Sequence, residues 1–112
     1  MGNNQIKWEQ IESRVYKLLQ QEDYRSVISF RHNNWKLAAV KVKDKVFIFR
    51  NRCPHMGASF EGGWVENEKV VCPKHRYRFH PEDQNPNRSI GCLSIIPSRI
   101  QNETIEINLS PK

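Results

Sequence analysis

Two short Cys/His pairs constrain this chain more than any other feature of its sequence. They are Cys53-Pro54-His55 and Cys72-Pro73-Lys74-His75, and sixteen residues separate them. A lone Cys-x-x-His is weak evidence, since a buried Cys and a surface His often meet by chance. Here each cysteine is followed by proline, and Gly57 follows the first pair closely. The sequence therefore predicts two loops that turn backbone N–H groups toward one shared metal-containing group.

Two kinds of metal group suit two thiols and two imidazoles. A structural zinc ion takes such a set, but its usual motif puts the cysteines in one pair and the histidines in the other. A two-iron cluster can take both thiolates on one iron and both imidazoles on the other. The mixed pairs favour the cluster. A non-redox structural or sensor module, holding zinc or a cluster, is the alternative.

The remaining sequence predicts an all-β fold with one short N-terminal helix. Runs rich in β-branched and aromatic residues at 26–32, 35–42 and 46–51 are joined by Asn33-Asn34 and by residues 43–45, which suit tight hairpins. They form an antiparallel meander that leads into Cys53. Residues 92–100 and 104–109 predict a closing pair of strands, and helical spacing within residues 8–21 predicts the helix.

Size and charge limit the function classes. At 112 residues the chain is predicted to be a single domain, residues 1–112. The net charge of +6 raises nucleic acid as a partner, but Lys and Arg alternate along the predicted strands, which is typical of a solvated sheet face. We see no apolar run of the roughly 18 residues that a membrane helix needs, and no signal segment. We therefore expect a cytoplasmic protein that binds neither nucleic acid nor a membrane.

The Cys/His spacing, together with the strand-rich flank of residues 61–79, resembles the Rieske iron-sulfur domain, and within it the small Rieske ferredoxins. The resemblance implies stacked antiparallel sheets with two cluster-binding loops at one end. It implies that Cys53 and Cys72 bind one iron of a [2Fe-2S] cluster, and that His55 and His75 bind the other. The implied function is one-electron transfer from a reductase to an oxygenase or another redox enzyme, with no catalysis by the chain itself.

Imidazole ligation has an electrostatic consequence. Two ferric ions, two sulfides and two thiolates sum to zero charge, whereas four thiolates would give minus two, so an electron is added more easily. Respiratory Rieske proteins also have a loop-bridging disulfide, where this chain has Ala58 and Lys74, and two hydroxyl donors to the cluster, where it has Tyr77 and Phe79. Without these donors we expect a potential at the low end of the Rieske range, about −150 mV.

Other residues have plainer expected roles. His32 is expected to be solvent-exposed, His80 to lie in a loop, and Cys92 to be a small buried strand residue. The tryptophans are expected to pack in the core or at its rim; they are Trp8, Trp35 and Trp64. Three prolines are candidates for covering the cluster: Pro81, Pro86 and Pro97. Basic residues flank the ligands, and as a collar they would steer docking onto acidic redox partners: Arg50, Arg52, Lys74, Arg76 and Arg78.

Overall fold

The structure, a computed structural model, describes residues 7–85, 87 and 89–109, and within them it is mostly β with one helix. The strands are β1 (Glu9–Gln10), β2 (Ile28–His32), β3 (Trp35–Val42), β4 (Lys45–Arg50), β5 (Trp64–Glu66), β6 (Lys69–Val71), β7 (Arg78–Phe79), β8 (Ile95–Ile96), β9 (Ser98–Gln101) and β10 (Thr104–Ile107). Helix α1 (Ser13–Leu19) lies between β1 and β2. None of these described segments is a helix long and apolar enough to cross a membrane. The predicted all-β class is confirmed.

A central four-stranded sheet, in the order β2-β3-β4-β8, separates two hydrophobic cores. Successive side chains of a strand point to opposite faces, so Leu37 and Ala39 enter one core while Ala38 and Val40 enter the other. The first core lies against α1 and the sheet β1-β10-β9. The second lies against the sheet β5-β6-β7 and includes Cys53 and Cys72. The cysteines are thus anchored in a packed core.

The predicted meander is confirmed, with its tight turns. β2 pairs with β3, and β3 with β4, both antiparallel. The central residues of these turns, Asn33-Asn34 and Lys43-Asp44, have positive φ, as do Asn67-Glu68 and Asn102-Glu103 in two later hairpins. Positive φ at both positions matches the right-handed twist of the flanking strands, which explains the short connections.

Two predicted boundaries are wrong. Residues 9–10 are not helical, because they form strand β1 and pair with β10 near the other end of the chain. Residues 92–100 are not one strand. Ile95–Ile96 joins β4 in the central sheet, whereas Ser98–Gln101 joins β10 in another sheet. Pro97 lies between them, and its missing N–H cannot continue a ladder, so the chain changes sheet there.

Candidate metal centre

Two loops meet at one end of the β5–β6 hairpin. The first loop (residues 51–63) joins β4 to β5, and the second loop (residues 72–77) joins β6 to β7. Trp64 and Val71 are paired across the hairpin, so the first loop ends where the second begins. Gly63 packs there against the backbone, because an added Cβ would lie 2.5 Å from the Val71 carbonyl oxygen. This close approach brings the two Cys/His pairs to one tip.

Both loops close with the same two backbone hydrogen bonds. The Cys53 amide donates to the Ala58 carbonyl at 2.7 Å, and the Gly57 amide donates to the Cys53 carbonyl at 2.7 Å. In the second loop Cys72 donates to Tyr77 at 2.9 Å, and Arg76 donates to Cys72 at 2.8 Å. The fourth residue after each cysteine has positive φ, 77° at Gly57 and 61° at Arg76. The two loops therefore present their cysteines in matching backbone frames.

The four predicted ligand residues lie in two layers at this tip. Cys53 and Cys72 are 2% and 1% exposed and face each other closely enough for a contact between their thiols. His55 and His75 are exposed, and their ring centroids are 6.4 Å apart. Within the described part of the chain, no three Cys, His, Asp or Glu side chains are grouped as the ligands of a single ion. The arrangement is a buried thiol pair beneath an exposed imidazole pair.

The surroundings of Cys53 act on its thiol in opposite directions. Burial raises the pKa of the Cys53 thiol above its ordinary value, and the neighbouring Cys72 adds to the rise. Hydrogen bonds from the backbone N–H groups of His55 and Met56 act in the other direction, because they favour the thiolate. The first loop thus supplies donors to a negatively charged sulfur.

Tyr77 joins the two loops, a role that the sequence did not reveal. Its ring centroid lies 4.1 Å from that of His55 and 6.2 Å from that of His75. Its body packs against the second core. The side chain therefore orients both imidazoles from below. No local pattern could have indicated this, because the contact joins residues 22 positions apart in the chain.

Asn51 closes the first loop at its base and was also missed. Its Oδ1 accepts a hydrogen bond from the Phe60 amide at 2.6 Å, and its Nδ2 donates to Ser59 Oγ at 3.1 Å. The backbone N–H of Asn51 donates to the Lys36 carbonyl at 2.9 Å. The side chain therefore ties the start of the loop to its second half, and the backbone N–H ties it to the central sheet.

Gly91 packs against the first loop, at Pro54. An added Cβ at Gly91 would lie 2.7 Å from Pro54 Cβ. Pro81 is buried beyond β7, and Pro86 lies outside the described residues. The Ser94 carbonyl accepts a hydrogen bond from the Arg50 amide, at the end of β4 that leads into the first loop. From Ser94 the chain runs along β8 in the direction away from the tip, and Pro97 follows β8.

The remaining histidines make their contacts outside the tip, and Cys92 follows Gly91 in the loop that packs against Pro54. His32 is only 15% exposed, contrary to the expectation, because its Nε2 pairs with Glu9 Oε1 at 2.9 Å. His80 lies in the loop after β7, where its Nδ1 accepts from the Glu82 amide at 3.3 Å. Cys92 is half-buried in a loop rather than in a strand, and its thiol donates to the Asn85 carbonyl at 3.1 Å. The predicted strand placement of Cys92 is wrong.

The three tryptophans are half-buried, and two of them lie against arginine side chains. Arg50 lies over the Trp35 ring at 5.1 Å, and Arg99 lies over Trp8 at 4.4 Å. Trp64 donates from Nε1 to Glu66 at 3.1 Å, and the same carboxylate pairs with Arg78 at 3.4 Å. All three rings are half-buried rim residues, as expected. The other members of the predicted collar are exposed: Arg52, Lys74 and Arg76.

The donor set fits a two-iron cluster of mixed ligation. Thiolates are soft ligands that suit iron–sulfur clusters, and imidazole suits iron. Buried cysteines with backbone N–H donors suit the side of a cluster that carries sulfide and thiolate charge. Exposed histidines suit its outer side. The two layers match the two kinds of ligand.

Comparison with known proteins agrees with this fit. The sequence model of the Rieske [2Fe-2S] domain matches residues 14–90. The chain is 27% identical over 84 residues to the ferredoxin component of the Pseudomonas putida naphthalene 1,2-dioxygenase system, covering 67% of this chain and 74% of that protein. It is 45% identical over 42 residues to cholesterol 7-desaturase nvd of Drosophila melanogaster, covering 37% of this chain and 10% of that protein.

The fold is also that of a solved ferredoxin. The structure matches the ferredoxin of carbazole 1,9a-dioxygenase from Nocardioides aromaticivorans IC177 with a TM-score of 0.61, at 19% identity, over 73% of this chain and 83% of that one. The chain spans only 34% of several larger solved chains that it resembles. The family model covers more than half of the chain, and a Rieske-type [2Fe-2S] cluster is the cofactor of that family. The chain belongs to the Rieske [2Fe-2S] domain family.

Proposed function

We propose that the chain is a one-electron carrier in which Cys53 and Cys72 hold one iron of the cluster and His55 and His75 hold the other. The observation that carries the proposal is the layered tip, with both thiols buried and both imidazoles exposed. The zinc alternative is not favoured, because the family model and the relatives named as ferredoxin components are those of redox proteins. We also propose that residues 1–112 act as one domain.

The cluster, when bound, accepts one electron and releases it again. The chain's own residues fix the conditions for this exchange. The second core holds the two thiols away from water, and the N–H groups of His55 and Met56 stabilise the charge on Cys53. Tyr77 holds the imidazoles in position from below. The exposed imidazole edges are then where a partner protein can approach most closely.

We propose a reductase as the electron donor and an oxygenase or another redox enzyme as the acceptor. The named ferredoxin components of dioxygenase systems support this assignment. We do not assign oxygenase chemistry to the chain itself, because a mononuclear iron site needs two further histidines and a carboxylate together. His32 is paired with Glu9, and His80 lies in the loop after β7. A cytoplasmic location stays a prediction.

Spectroelectrochemical titration of the purified protein tests this function. We expect a reversible one-electron curve with a midpoint near the low end of the Rieske range, about −150 mV. His55→Ala and His75→Ala should each abolish the reducible chromophore. His80→Ala is the matched control, because it removes a histidine outside the tip, and it should leave the curve unchanged.

Two outcomes would contradict the proposal. One is a protein with no reducible chromophore. The other is a His80→Ala variant that loses the chromophore while His75→Ala retains it, which would put the ligands elsewhere.

A further inference from the structure

A polar groove of about 880 Å³ lies beside the first loop, outside the layered tip. It runs from the turn between β2 and β3 along the ends of β3 and β4 to Gly57 and Ser59. We call it the hairpin groove. Its size lies within the range of ligand-binding clefts, roughly 300–1,000 Å³. Its polar lining includes one amide and two hydroxyls that can donate hydrogen bonds: Asn34, Ser29 and Ser59. Asn33 and Asn51 also line it, but their amides already donate to Glu9 and Ser59.

The hairpin groove concentrates positive charge that the described residues leave without ion pairs. Four of its lining residues are cations: Arg31, Lys36, Arg50 and Arg52. Its lining carboxylate, Glu61, is exposed. Among residues 7–85, 87 and 89–109, six other cations have carboxylate partners within 4 Å: Arg14, Arg25, Lys43, Lys45, Arg78 and Arg99. The other described cations without such a partner do not line the groove: Lys7, Lys17, Lys41, Lys69, Lys74 and Arg76. The groove is therefore distinguished by gathering four unpaired cations around one carboxylate.

Two of these cations oppose each other in the sheet. Arg31 on β2 is the direct cross-strand partner of Lys36 on β3. Like charges in this position destabilise a sheet, whereas opposite charges stabilise it. An arrangement that costs folding stability and has no structural gain is typical of a functional site.

We propose that the hairpin groove binds a carboxylate-rich segment of the chain's redox partner. Guanidinium groups bind carboxylates through two parallel N–H donors, and the Asn34 amide and the two hydroxyls would satisfy remaining oxygens. The identity of the partner as a redox protein rests on the proposed function, whereas the carboxylate site rests on the groove alone.

The position of the groove explains why the occupant is a redox partner. Arg52 lies along the first loop, since a Cβ added to Gly57 would be 3.5 Å from Arg52 Nε. Gly57 is two residues from the exposed His55. A segment seated in the groove therefore holds the rest of its protein over the imidazole tip. Charge complementarity of this kind sets the association rate and the orientation more than the lifetime of the complex.

Binding of a labelled, terminally blocked oligoglutamate peptide to the cluster-loaded protein tests the proposal. Fluorescence anisotropy should show binding that weakens with salt and that a matched oligoglutamine peptide does not reproduce. The double variant Arg31→Gln/Lys36→Gln should raise Kd about tenfold. The matched control is Lys17→Gln/Lys69→Gln, which removes the same charge from α1 and β6 and should change Kd less than about twofold. The thermal midpoint of the groove variant should not fall, because a like-charge pair is removed.

Three results would overturn the proposal. Equal weakening by both double variants would mean that only net charge matters. An unchanged Kd in the groove variant would mean that the peptide binds elsewhere. Displacement by inorganic phosphate at an equal concentration of charge would mean a general small-anion site. A protein that binds the peptide as expected but is not reduced by dithionite would refute the electron-carrier function and leave the carboxylate site standing.

Discussion

Replacing Gly91 with alanine tests how the first loop is supported. The new Cβ would lie 2.7 Å from Pro54 Cβ, which is well inside van der Waals contact. Gly91 also has a φ of +86°, where any side chain is strained. Gly62 has nearly the same φ, +89°, but an added Cβ there would meet nothing closer than Pro73 Cγ at 3.9 Å. Gly62→Ala is therefore the control for backbone strain alone.

The expected losses of stability follow from these two contributions. Left-handed backbone costs an alanine about 1–2 kcal/mol, and this applies at both positions. Overpacking against a neighbour adds about 1–3 kcal/mol, and this applies only to Gly91→Ala. We therefore expect Gly62→Ala to lose about 1–2 kcal/mol and Gly91→Ala about 2–5 kcal/mol.

The assay is anaerobic urea denaturation of the cluster-loaded protein, followed by far-UV circular dichroism and by visible absorption. Gly91→Ala should also release its cluster faster than Gly62→Ala, because Pro54 lies between two proposed ligands. The reasoning is refuted if Gly91→Ala is no less stable than Gly62→Ala, since the contact with Pro54 would then have no energetic effect.

Three further predictions concern the loops and the N-terminal strand. Asn51→Ala should lower the free energy of unfolding by about 1–3 kcal/mol, because the backbone N–H of the buried Phe60 loses its acceptor. Asn51→Asp keeps an acceptor oxygen and should retain most of the stability of the natural protein in the same urea assay. Arg76→Gly should raise that free energy by up to about 1 kcal/mol by relieving positive φ, and Arg76→Ala should not. The hydrogen bond from His32 lowers the pKa of Glu9 below its ordinary value of 4.5. The stability that this bond contributes is therefore present above pH 4.5 and is lost as the pH falls through the lower pKa of the folded state. Acid titration of thermal stability should show this loss in the natural protein and not in Glu9→Gln.

Local patterns were sufficient for the centre of the fold. Alternating apolar residues in 26–51 and the Asn33-Asn34 turn specify a hairpin without reference to the rest of the chain, and the structure confirms it. The mixed Cys/His pairs likewise indicated one shared site, and the structure brings all four residues to one tip.

Long-range pairing explains what the sequence did not reveal. Glu9 becomes a strand residue only because β10, from the other end of the chain, pairs with it. The same pairing brings Glu9 to His32 and partly buries a histidine that was expected to be exposed. Asn51 and Tyr77 act through contacts that depend on loop closure. Secondary-structure propensity and residue spacing do not predict these contacts, because both describe only residues that are neighbours along the chain.

The most direct test of the central claim is the EPR spectrum of the anaerobically purified protein before and after dithionite, with iron, zinc and acid-labile sulfide analysis of the same sample. The account predicts two irons and two sulfides per chain, as the [2Fe-2S] family requires, and a signal on reduction with the low average g value of mixed Cys/His ligation. A colourless, EPR-silent protein that holds zinc would show instead that the four residues only stabilise the fold, and the electron-carrier function would be wrong.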